Sequence, residues 1–64
     1  MPTLRLVDPD GYTVPGAVHP NVPGAREAEV RGQLLREVAP VHAAEWADFG
    51  YDARAYQVIA DPSS

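Results

Sequence analysis

Between Thr3 and Val7 the chain alternates, with Leu4 and Leu6 on one side and Arg5 on the other. A period of two marks a half-buried strand. Asp8-Pro9-Asp10-Gly11 follows, with Asp, Pro and Gly at the first, second and fourth positions that a type I turn prefers. Tyr12-Thr13-Val14 resumes the alternation, and the three segments together predict a β-hairpin. The tetrad Val14-Pro15-Gly16-Ala17 then recurs as Val22-Pro23-Gly24-Ala25. Pro-Gly at its centre suits a type II turn, so residues 15–24 are expected to form an ordered loop or arm.

From Ala25 the period changes. Val30, Leu34, Val38 and Val41 recur at three or four residues and Leu35 widens the stripe, which predicts a helix over 25–39. Gly24 serves as its N-cap, with Asn21 as a rival one turn earlier, and Glu27 and Arg31 form a favourable i,i+4 pair. Pro40 interrupts this pattern. An interior proline costs a helix about 3 kcal/mol, and a helix continued at constant phase would carry Glu45 into the apolar stripe. A second short helix is therefore expected to begin with Pro40 in its first turn and to run to Asp48 or Phe49, with Gly50 closing it. The alternative is one long kinked helix.

Residues 53–60 read as a closing strand. Tyr56, Val58 and Ala60 share one face and Ala55, Gln57 and Ile59 the other. Both faces are fairly apolar and residues 55–60 carry no charge, which suits either a central strand or an edge that pairs with another chain. Residues 61–64 are expected to stop the strand and fray. The predicted architecture is a single α+β domain over 1–64, ββααβ: hairpin and closing strand in a three-stranded sheet, with one main and one short helix on one face.

Composition limits what such a domain can do alone. A chain of 64 residues buries about 60% of its unfolded surface, and its core supplies about 3–5 kcal/mol unless something staples it. There is no cysteine, so neither a disulfide nor a thiolate metal site can be the staple. Association is the remaining source of extra stability. Nine acidic residues face five basic ones, for a net charge of −4. That balance disfavours nucleic acid and anionic membrane surfaces as partners. All five basic residues are Arg, and Ala, Pro, Gly and Val are abundant, as GC-rich coding produces; a bacterial or phage source is expected. No 18-residue apolar run and no apolar leader are present, so the expected location is the cytoplasm, or a virion if the chain is phage-encoded.

Candidate chemistry is sparse. Asp8-x-Asp10-Gly11 opens like a calcium loop, but the twelfth position is His19 where a Glu is required, so a plain turn is the reading. His42 and Glu45 share a helix face without further fixed ligands and read as solvent-facing. The Ser residues lie only in the tail, and no nucleophile motif or phosphate-cradling loop occurs. No catalytic residue, metal or cofactor is expected. Trp46, Phe49 and Tyr51, with Tyr56 nearby, form the densest aromatic group. Phe49 and Tyr56 read as core; Trp46 reads either as core or as interface. A protein interface comprising Trp46, Tyr51, Tyr56 and Ile59 is the site expectation, because exposed Trp and Tyr dominate binding hot spots. The expected function is a non-catalytic interaction module, an accessory, regulatory or assembly protein that binds itself or a larger complex. The alternative is a small nucleic-acid-binding regulator with a helix-turn-helix at 25–49, and an enzyme or metal carrier ranks last.

Overall fold

A computed structural model describes residues 1–62. Three antiparallel strands, β1 (Thr3–Val7), β2 (Thr13–His19) and β3 (Gln57–Asp61), form one sheet in the order β2-β1-β3, and a single 22-residue helix over 24–45 covers one face. The α+β class and the three-stranded sheet match the expectation. The first hairpin forms around its turn as the residues dictate. Gly11 N–H donates to Asp8 C=O (3.0 Å), Asp8 N–H to Tyr12 C=O (2.9 Å), and Asp8 Oδ1 accepts from the amides of Asp10 and Tyr12. Gly11 sits at φ 94°, a conformation that costs a side-chain-bearing residue but not glycine.

The strand that leaves this turn is longer than expected. Arg5 pairs with Val18 while Val7 pairs with Thr13, so the stretch of β2 between them bulges. The first Val-Pro-Gly-Ala tetrad is that bulge, with Gly16 at φ 79° and Val14 and Ala17 both buried. The expected arm over 15–24 therefore shrinks to the connection after His19. Asn21 takes a left-handed φ of 55° and caps nothing, Val22 is buried with its N–H on Pro2 C=O (2.8 Å), and Pro23, not Gly24, precedes the first helical turn.

The helix is where the expected ββααβ order changes in detail. Its two predicted segments exist, Glu27–Gln33 and Ala39–Glu45, with Pro40 in the first turn of the second, but they join without a break through a π-helical turn at Leu34–Val38. There Ala39 N–H donates to Leu34 C=O, five residues back. One extra residue in the turn rotates everything beyond it by about 100°. The buried positions are accordingly Val30, Leu34, Ala39 and Ala43, spaced four, five and four. Val38 is only half-buried, Val41 is 61% exposed, and Glu45 escapes the core. The uninterrupted rod also removes the helix-turn-helix at 25–49, since no turn separates two helices there.

Leu4 and Leu6 of β1, Val14 and Ala17 of β2, Val22, the four helical residues and Tyr56 make the core. The small Ala39 and Ala43 are buried where the rod's second half packs on residues 53–55. β3 begins later than expected, after a short 3-10 turn at Ala53–Ala55 capped by Asp52. It is an edge strand and β1 the central one, so the expected central placement of this strand does not hold. Arg31 reaches from the helix to that edge and donates to Val58 C=O at 2.9 Å. Asp61, expected in a frayed tail, is the last residue of β3 and pairs with Arg5 at 2.7 Å. Ser63 and Ser64 lie outside the described residues. The sheet's second face is not covered by the helix: Arg5 lies across it, also donating to Thr13 Oγ1, between Val18 and Ile59.

Candidate functional site

The end of the helix and the segment after it assemble a group of rings. His42 and Trp46, four residues apart, stand on one helix face. Ala47–Phe49 tightens into a 3-10 turn, and Gly50 at φ 79° turns the chain back, which brings Tyr51 onto the same face. The ring centroids of His42, Trp46 and Tyr51 lie 5.9–6.3 Å from one another with planes within 30°. Three nearly equal separations exclude a column, whose outer rings would be twice as far apart; the rings overlap like shingles. Phe49 leans on Trp46 at 5.3 Å, and Tyr56 closes the underside, edge-on to both His42 and Tyr51.

Two hydroxyls pin this shelf. Tyr56 Oη and His42 Nδ1 share a hydrogen bond of 2.5 Å, and Tyr51 Oη donates to Asp10 Oδ2 at 2.5 Å. The second bond ties the segment after the helix to the hairpin turn, 41 residues away. It also pushes the Tyr51 pKa up to about 12, because ionisation would place a phenolate against the Asp10 carboxylate. The Tyr56 hydroxyl is raised as well, by burial first and by the charge of Asp8 second.

Between shelf and turn lies an open cleft of about 480 Å³, walled by Asp8, Asp10, Tyr12, Trp46, Phe49 and Tyr51. Pro15 and His42 separate it from a shallower depression of about 290 Å³, where Val14, Val38 and Val41 lie between Glu37 and Glu45. Phe49 and Tyr12 are each 72% exposed and Trp46 42%.

Of the expected interface residues, Trp46, Tyr51 and Tyr56 come together, but Tyr56 is 5% exposed and supports the shelf from within, as its core reading required. Ile59 pairs with Arg5 on the opposite face of the sheet, away from the rings. Phe49, read as core, is on the surface instead. Trp46 is half of each reading: it is stacked on His42 and Tyr51 and open to solvent beyond them. The reading as a free, solvent-facing side chain fails for His42, which is half-buried and bonded to Tyr56; Glu45 is exposed. Tyr12, His42 and the two aspartates were missed as site residues. The i,i+4 spacing of His42 and Trp46 was a usable signal, whereas nothing local joins Asp10 to Tyr51.

Chemically the site offers ring faces, apolar walls and carboxylates. Among the described residues no group of three or more His, Asp or Glu is placed to hold a metal ion, and no helix is long and apolar enough to cross a membrane. The chain matches no family model, no curated protein and no solved structure.

Proposed function

We propose that this protein is a small non-catalytic interaction module that docks a partner protein on the shelf of His42, Trp46, Phe49 and Tyr51 together with Tyr12. The observation that carries this reading is the exposure of three large aromatic side chains, Tyr12, Trp46 and Phe49, around one cleft in a domain that has few large apolar residues to fill its core. Leaving such side chains in water has a cost that a monomer avoids by burying them, and contiguous exposed apolar surface marks interaction sites. Trp and Tyr are also the residues that carry binding energy when desolvated at an interface. The rings are held in place before any partner arrives, by the Tyr51–Asp10 and Tyr56–His42 bonds, so little ordering is left for the binding step.

A partner different from this chain suits the shelf better than a second copy. Asp8 and Asp10 stand beside the rings and Glu37 and Glu45 beside the neighbouring depression. Two copies pressed together across this face would oppose carboxylate to carboxylate.

Selection from a random peptide display library tests the reading. The wild-type protein should enrich ligands, and the same ligands should be lost with Trp46→Ala and with Phe49→Ala. Phe49→Ala should leave the melting temperature unchanged, which separates lost docking from lost folding. Enrichment that survives both substitutions would place the interface elsewhere.

A further inference from the structure

We infer that the segment docked on the shelf is basic and that it inserts an arginine side chain into the cleft between the rings and the hairpin turn. The inference rests on the shelf being a docking site, and adds the chemistry of its occupant.

The cleft combines two elements that a guanidinium uses at once. One wall is Trp46, Phe49 and Tyr51, with Tyr12 opposite. A planar cation stacks on such rings, held by their negative faces and by dispersion. The other wall is the turn with Asp8 and Asp10. Asp8 Oδ1 is taken by the turn amides and Asp10 Oδ2 by the Tyr51 hydroxyl. Among the described residues the second oxygen of each carboxylate takes no donor, which leaves it for a ligand. The bonds already made hold both carboxylates in one orientation, as a forked donor requires.

Charge selects among occupants. Neither the cleft nor the adjoining depression is lined by any of the five arginines, although Asp8, Asp10, Glu37 and Glu45 all line one or the other. The basic side chains are engaged elsewhere: Arg5 with Asp61, Arg26 with Glu29, Arg31 with Val58 C=O, Arg36 with Gly32 C=O and Arg54 with Asp52. The site therefore presents four carboxylates with no arginine among them, and its one imidazole, His42, is bonded to the Tyr56 hydroxyl. An acidic segment is repelled, and a neutral apolar one leaves the carboxylates beside a desolvated surface without partners. Arginine is favoured over lysine because an ammonium pairs with the carboxylates but does not lie flat on the rings. The Val14, Val38 and Val41 depression then accepts an apolar residue next to the arginine, with Glu37 and Glu45 available to a second basic one.

Trp46 is the only tryptophan, so its emission reports directly on the cleft. Three blocked peptides of one length serve as probes: Gly-Pro-Leu frameworks bearing two Arg, two Lys or two Glu. The Arg peptide should change Trp46 emission saturably and bind at least about fivefold more tightly than the Lys peptide, while the Glu peptide should not bind. Raising the salt from about 50 to about 500 mM should weaken the Arg complex. Asp8→Asn with Asp10→Asn keeps the acceptor oxygens that hold the turn and Tyr51; it should leave the circular dichroism unchanged and cut Arg-peptide affinity about tenfold or more. Equal binding of Arg and Glu peptides, no binding of the Arg peptide, or indifference to the double substitution would each overturn the inference. If display selection yields Trp46-dependent ligands that lack basic residues, the shelf remains a docking site and only the arginine is wrong. If it yields no Trp46-dependent ligand, both readings fall.

Discussion

Gly11 and Tyr51 show how single residues hold the site. Gly11 closes the hairpin at φ 94° with nothing within 4 Å of where a Cβ would sit. The cost of replacing it is therefore conformational and not steric crowding, and Gly11→Val should destabilise by about 1 kcal/mol or more in chemical denaturation. An unchanged midpoint would mean that the turn contributes nothing to stability. Tyr51 makes a different kind of prediction. Its pKa in the fold, about 12, stands above its ordinary value of 10.0, so the fold favours the protonated hydroxyl. That contribution is complete below pH 10 and is lost as the pH rises toward 12. The melting temperature should fall over that interval, and Tyr51→Phe should remove this part of the fall together with the highest-pH step of the tyrosinate absorbance titration. An identical alkaline profile in the variant would show that the Asp10 bond is not formed in solution.

At the level of elements, legibility followed locality. Strand β1, the turn at Asp8–Gly11, the helical stretch and the closing role of Gly50 are each encoded within a few residues, and each was readable. The β2 bulge was not, because Val14-Pro15-Gly16-Ala17 has the chemistry of a reverse turn and only pairing with β1 makes it part of a strand. The π turn was half-readable. Assuming a constant 100° per residue made Val38 and Val41 look like core and made Glu45 an argument for a break. The spacing of Val30, Leu34, Ala39 and Ala43 held the answer, but alanine is a weak hydrophobic marker next to valine. Of the site, the aromatic cluster was readable, whereas the acidic wall from the distant turn and the placement of Ile59 required the fold. The π turn itself can be tested. Deleting Arg36 converts it to α-helix with the core stripe still aligned, but places the proline inside an α-helix at a cost of about 3 kcal/mol, enough to unfold most of a domain of this size. Adding Pro40→Ala to the deletion should recover most of the helical signal and the melting transition. A double variant as unfolded as the deletion would mean that the extra residue serves something besides the proline.

For the whole molecule, the decisive feature is a sheet with one covered face and two edges. β3 has an uncharged stretch from Gln57 to Ala60, the kind of edge that recruits other chains. Arg31 answers that hazard by placing a charged side chain against this strand, bound to the Val58 carbonyl. Arg31→Ala should cost about 1 kcal/mol and, more tellingly, should raise light scattering on concentration while the wild type stays clear. A variant that stays equally clear would show that the edge is protected by other means.

The sheet order also has a consequence for how the chain is born. Its middle strand is the first to be synthesised, and the carboxylate that Arg5 finally engages follows 56 residues later. On the ribosome β1 can pair with β2 within seconds of the hairpin emerging, yet one whole side of it stays open until β3 appears. The nascent chain thus passes through a stage in which its most apolar strand has half its hydrogen-bonding groups unclaimed, and closure over so long a loop is slow relative to the hairpin. The helix, made in between, joins Val14, Ala17 and Val22 in shielding Leu4 and Leu6 during that wait. The unfinished sheet therefore stays exposed until Gln57–Asp61 is free to pair, and the order in which the strands become available, not the final stability alone, sets how long that is.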